Sequence, residues 1–409
     1  MPQKKSVPRP APRTGQKSRF KVAGGSKNIY DINAYRRRKQ MQKLSRRLAA
    51  MAAALTVVAA AFAGLYFYQN YDLNNLAETA RAGGTRLETG GGFPISMDGV
   101  NPSGLRRVGD CVALLTSEET VFFKDTSALH SFTHQFTNPV TRTAAGRLLS
   151  YDRGGYGFRI DSEKGLHYSA RTESTILTGA ISRKLGYALA LSEVRYAASV
   201  AVYDRGNKEL LHWYSVSDSV IDMDFSYDGN RLAAAAIGFE NGDLVGKVYI
   251  LNLGGGEETV YSFPGVLPLA VDYKRNGSIH LICDTVVGVI SPKGELSQVP
   301  LAGPLSDYYF TDNATVMLAS ESGDISFSLI QVDDDGQSQS VQVRGSSLDV
   351  VADGESIYVL EKNSVQRFDR SLELLEQQAV GSDVFAIESS GRGAYLLSAN
   401  YLDRWTYSP

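Results

Sequence analysis

Residues 200–215, VAVYDRGNKELLHWYS, set an apolar run against a break at Asp204-Arg205-Gly206-Asn207 and then resume as a second, half-apolar run. The reading is strand, tight turn, strand, because Asp, Gly and Asn tolerate the positive φ angles that hairpin turns require. The unit recurs, as in VFFKDTSALHSFTH (121–134), FRIDSEKGLHYSA (158–170), VYILNLGGGEETVYSF (248–263) and SVQRFDRSLELLEQQAV (364–380). Seven such units are anchored at Asp125, Asp161, Asp204, Asn252, Ser291, Asp333 and Asp369, with spacings of 36, 43, 48, 39, 42 and 36. A period near forty made only of strands and turns is the signature of a β-propeller blade.

A second series lies upstream of each turn and pairs a short strand with a Val/Ala/Leu-rich one. IDMDFSYDGNRLAAAAI (221–237), DVVADGESIYVLE (349–361) and FAIESSGRGAYLLSA (385–399) are three of its eight members. Small aliphatic residues suit inner strands that are buried on both faces. Eight inner hairpins and seven outer ones leave the last blade one strand short. The segment FPISMDG (93–99) is placed to supply it, with Phe93–Met97 pairing the strand that contains Leu402–Trp405. The fold class read from the chain is therefore all-β, an eight-bladed β-propeller, with seven blades as the alternative. Two separate β-sandwiches would have to explain an even period over 300 residues.

The rest of the chain divides by charge. Residues 1–48 hold 15 Lys/Arg and a single acid, Asp31, whereas 69–409 hold 27 Lys/Arg and 43 Asp/Glu. Between them, Leu48 to Tyr68 (LAAMAAALTVVAAAFAGLYFY) is 21 residues without a charge, enough to cross a bilayer as a helix. Arg46 and Arg47 precede it, and Tyr66, Phe67, Tyr68 and Tyr71 crowd its far end. The positive-inside rule then puts the N-terminus in the cytoplasm and the body outside. A buried core helix would rarely be so long and uncharged beside so many cations. A cleaved signal peptide is the other reading, since Ala61-Phe62-Ala63 resembles a cleavage site, but the apolar run continues past it. The expected organisation is a disordered basic cytoplasmic tail (1–47), a transmembrane signal anchor (48–68), a stalk (69–92) and an extracytoplasmic propeller (93–409).

An Arg/Lys-rich head, one membrane segment and blades around FSYDGNRLAAA and YDRGNKELLHWYS resemble a family of Firmicute, mostly clostridial, proteins known only as a domain of unknown function. The resemblance covers most of residues 30–409 and implies a membrane-anchored extracytoplasmic propeller without naming an activity. YDRGNKELLHW is also similar to quinoprotein-type and WD40-like blades. Only Trp213 and Trp405 are present, however, and the adjacent cysteine pair that grips a quinone cofactor is missing.

Chemical motifs are sparse. Cys111 and Cys283 lie in apolar segments and read as free buried thiols rather than a long-range bridge. His130 and His134 have a helical metal spacing, but on a strand they stand roughly 13 Å apart. VDDDGQSQS (332–340) lacks the first acid and the closing glutamate of a calcium loop and reads as a solvated turn. Asn313-Ala314-Thr315 has the form of a glycosylation sequon at an expected inner turn. No nucleophile elbow, catalytic set, cofactor motif or metal motif is found. The basic head is better explained by topology and anionic lipid than by nucleic acid. The expected role is a non-catalytic docking or sensing scaffold for cell-envelope proteins or glycans, with the bilayer held through Leu48–Tyr68. The alternative is a propeller hydrolase or lyase acting on envelope polysaccharide, which a cluster of perturbed carboxylates around the channel would favour. Arg153, Arg205, Lys293 and Arg370 form the candidate binding rim for an acidic partner such as an anionic glycan.

Overall fold

The computed structural model describes residues 92–97, 100–322, 326–344, 347–391 and 393–406. The tail, the Leu48–Tyr68 segment and the stalk lie outside these residues. Among the described residues no helix is long and apolar enough to cross a membrane.

Eight four-stranded antiparallel sheets make up the described chain. Blades 1 to 7 span 102–133, 139–171, 176–215, 219–264, 268–300, 305–344 and 347–379, each with its four strands in chain order from channel to rim. Blade 8 takes three strands from 384–406 and its outermost strand from Ile95–Ser96. The expected clasp is present. Ile95 pairs Leu402 and Ser96 pairs Tyr401, and the Met97 N–H donates to the Asn400 carbonyl at 2.8 Å. It is shorter than Phe93–Met97 and sits towards Tyr401 rather than Trp405. All eight inner hairpins and all seven outer ones fall where the sequence places them.

The core is built seam by seam rather than as one mass. Each of the eight contacts between neighbouring blades has its own buried apolar cluster. At the closing seam, Ile95 and Met97 join Leu105 and Val112 of blade 1 to Leu397 and Leu402 of blade 8. The second strand of each blade is enclosed on both faces, which explains the run Ala233–Ala236 with no exposed surface. Large side chains there would force neighbouring blades apart.

Turns joining strands 1–2 and 3–4 share one face of the ring, here the hairpin face; turns joining strands 2–3 and successive blades share the opposite loop face. The turn of the opening stretch shows why an acid recurs on the hairpin face. Asp204 Oδ1 accepts the N–H of Gly206 at 2.8 Å and of Lys208 at 2.9 Å, and Asn207 takes φ +64°. Asp333 caps Asp335 and Gln337 in the same way, and Asp369 caps Ser371 and Glu373. Asp333 thus acts as a turn cap in VDDDGQSQS. Asp161 departs from the pattern: it is buried and bound by Arg159 of its own strand at 2.7 and 2.9 Å.

Candidate functional site: the charged channel and the two faces

The first strand of each blade lines the central channel, which opens on the hairpin face as a cavity of about 960 Å³. Charge there is segregated. Arg106 comes from blade 1 and Arg142 from blade 2; Asp222 and Asp224 come from blade 4, Asp272 from blade 5, Asp307 from blade 6, Asp349 from blade 7 and Glu388 from blade 8. Two ion pairs between non-adjacent blades reach across the channel. Arg142 donates to Asp222 at 2.6 Å, and Arg183 at the blade 3 turn pairs with Asp312 at the blade 6 turn.

Four of the six carboxylates share a task. An innermost strand has one edge with no strand beside it, so its N–H groups need other acceptors. Asp222 accepts the Val271 N–H at 3.1 Å, Asp224 accepts Tyr273 at 2.9 Å, Asp307 accepts Val350 at 2.7 Å and Asp349 accepts Ile387 at 3.0 Å. Each bond runs from one blade to the next and staples the ring around its hole. Glu388 caps Ser389 in its own strand and accepts from the Tyr309 hydroxyl at 3.3 Å.

Crowding acids in a narrow channel shifts their titration. Burial pushes Asp224 well above the usual carboxylate range, and the Asp272 charge adds to this. Burial raises Glu388, opposed by Arg106. Asp349 is pushed up to about 8 by burial, then by the charge of Asp307 and a hydrogen bond to it. Asp349 thus favours its protonated form near neutral pH, with Asp307 beside it. On the other side Asp222 holds the Arg142 guanidinium firmly protonated. Sequence reading missed these acids. The signal was an acid in the first strand of successive inner hairpins, in IDMDF, AVDYK, LSDYYF, SLDVV and FAIES.

The candidate rim residues do not converge. Arg205, Lys293 and Arg370 occupy the outer-hairpin turns of blades 3, 5 and 7 on the hairpin face. Arg370 borders the channel mouth, whereas Arg205 borders a separate cavity between blades 1, 2 and 3. Arg153 lies on the loop face, in the turn between Arg147–Asp152 and Gly157–Ser162. The spacing of turns could not tell a 2–3 turn from a 3–4 turn there. His130 binds the Ser162 carbonyl at 2.7 Å and stacks on Phe122, and His134 stacks on Phe136. Both cysteines are buried free thiols.

The loop face carries a ledge at blades 3 and 4. Val194 is 102% exposed, Val216 76% and Phe239 70%. Tyr196 and Tyr214 pack against each other on the same face, ring centroids 4.8 Å apart and planes tilted by 41°. Phe239 is brought to the 216–218 loop by Gly238, where a Cβ would overlap the Asp218 carboxylate. Asp218 is held by Lys247 at 3.1 Å, Ser217 at 3.1 Å and the Tyr249 hydroxyl. Burial pushes Asp218 up, but those hydrogen bonds outweigh it and keep its carboxyl below the usual range.

Fold and channel together define an eight-bladed β-propeller. Residues 104–400 match the model of a family of unknown function, DUF5711, and the chain belongs to that family. Comparison with curated proteins finds no match. Among solved structures, the C-terminal WD40 domain of Sif2 is 10% identical, covers 76% of this chain and 97% of that one, and superposes with a TM-score of 0.56. AztD from Citrobacter koseri is 12% identical over 68% of this chain and 86% of that one, with a TM-score of 0.50. BamB from Moraxella catarrhalis is 11% identical over 74% and 96%, with a TM-score of 0.48. The likeness to Sif2 and AztD shows the fold alone.

Proposed function

We propose that this protein is a single-pass membrane protein whose extracytoplasmic propeller docks a folded cell-envelope protein on the loop-face ledge of blades 3 and 4. The ledge carries the reading. Exposed apolar side chains on turns cost solubility and mark interaction sites when they gather. Tyr196, Tyr214 and Phe239, with Arg195 beside them, have the aromatic-plus-arginine composition of protein interfaces. The charge reversal around Leu48–Tyr68 supports a membrane anchor with the ring outside. A glycan would be met elsewhere, through the cations Arg205, Lys293 and Arg370 on the hairpin face. The test is co-purification of the full chain from its host membrane. Val216→Ser with Phe239→Ser should lose a stoichiometric partner that the wild-type protein and Arg153→Ser retain. Equal recovery by all three would defeat the ledge.

The enzymatic reading keeps one observation in its favour, the cluster of raised carboxyls around the accessible channel, with Asp349 beside Asp307 among them. A hydrolase or lyase needs such an acid and base pair. Against it, each of these carboxylates already accepts a backbone N–H from the next blade. Cleavage of envelope polysaccharide by the wild-type chain and not by Asp349→Asn would replace the docking reading.

A further inference from the structure

A second cavity, of about 580 Å³, opens on the hairpin face between blades 1, 2 and 3. Its walls bring together Arg147, Lys164, Arg205 and His167, with Tyr168 and Tyr187 behind them. Arg147 and Arg205 are the unusual pair. They lie close enough to repel, yet neither has a carboxylate partner among the described residues. Arg147 is fixed by the Ser182 carbonyl at 2.6 Å. Arg205 is fixed by the carbonyls of Leu185 at 3.0 Å and Arg183 at 3.1 Å. Carbonyl anchors hold a guanidinium in place and leave its remaining N–H donors free for an anion.

Two of the three acids along the same walls have other work. Glu163 binds Lys124 at 3.4 Å, and Asp204 caps its own turn. The third, Asp110, also lines the cavity. His167 is held by the Ser162 hydroxyl at 2.8 Å. Burial lowers its pKa first, Arg147 next; Asp161 opposes this, while Lys164 and Arg205 add to it. Burial, then the Arg205 charge, lowers that of Arg147, the direction expected where cations meet without a counter-ion.

We propose that this cavity binds the phosphate group of a sugar- or polyol-phosphate, with the oxyanion between Arg147 and Arg205 and the organic part against Tyr168 and Tyr187. Paired forks suit a tetrahedral oxyanion better than single charges do. The volume is that of a small-molecule site. The proposal uses other residues and the opposite face from the docking ledge, so the two stand or fall separately.

The test is calorimetric titration of the full chain with glycerol 3-phosphate and with poly(glycerol phosphate). Arg147→Gln and Arg205→Gln should each weaken binding at least 10-fold, Arg205→Lys less, and Arg153→Gln on the opposite face not at all. Tighter binding of the polymer per phosphate identifies a phosphodiester chain as the source; tighter binding of the monomer identifies a free metabolite. Absence of binding to the wild-type chain at 10-millimolar-range ligand, or equal binding by wild type and Arg205→Gln, overturns the proposal.

Discussion

Replacing Asp349 by Asn tests whether the channel acids hold the ring together as protonated or as charged groups. In the folded protein this carboxyl is pushed up to about 8, by burial first and then by Asp307. In the unfolded chain it titrates near 3.9. A raised native pKa means that the native state holds a proton the unfolded state has released. The stability this contributes is complete below about pH 4 and is lost as pH rises through 8. Integrated from pH 6 to pH 9, the linkage relation gives a loss of about 3 kcal/mol from this residue. For a ring of about 300 residues that is a fall of about 4 °C in Tm. In Asp349→Asn, the side-chain carbonyl still accepts the Ile387 N–H, and the amide donates to Asp307 in place of the lost proton. The assay is thermal unfolding of both proteins from pH 6 to pH 9. The wild-type Tm should fall more steeply, by about that margin, while Asp224 and Glu388 leave the variant a residual slope. Parallel slopes, or a wild-type ring that gains stability towards pH 9, would refute the raised Asp349 pKa.

Three further outcomes follow from packing. Ile95→Ala empties part of the closing seam and should cost about 2–5 kcal/mol in denaturant unfolding; deletion of 87–99 should lower the cooperative transition of the whole ring, and an unchanged midpoint would mean the clasp is ornamental. Gly238→Ala should cost at least about 1 kcal/mol by displacing Asp218 from Lys247 and Tyr249, whereas Gly254→Ala, which meets only the Asn252 side-chain oxygen at ordinary contact distance, should be close to neutral. Cys111 and Cys283 should resist thiol alkylation until the protein unfolds, because burial raises both thiols, Cys283 to about 12. Rapid labelling of the native protein would contradict their enclosure.

Much of this architecture was readable because a blade repeats. VAVYDRGNKELLHWYS declares a turn through Asp204, and six more anchors at a period near forty declare a ring. The clasp was readable by subtraction, since one outer strand was missing and one strand-like segment was spare. The channel acids were hidden by their brevity. Asp307 and Asp349 each occupy one position in a six-residue strand, and nothing local says that the far edge of that strand faces a hole. What makes them special is the next blade's N–H, supplied some forty residues later. Arg147 and Arg205 were separated in the same way, by 58 positions, and become neighbours only when blades 2 and 3 fold side by side. The ledge was invisible for a different reason: Val194, Val216 and Phe239 look like ordinary apolar residues until their turns are placed on one face.

The docking claim is tested most directly by a photo-crosslinking residue placed at Val216 in the full chain and activated in intact cells. A matched probe at Leu296, exposed on the outer strand of blade 5, serves as the control. One discrete protein adduct is expected from position 216, lost when Phe239→Ser is added, and none from position 296. No discrete adduct at 216, or the same adducts from both positions, would contradict it.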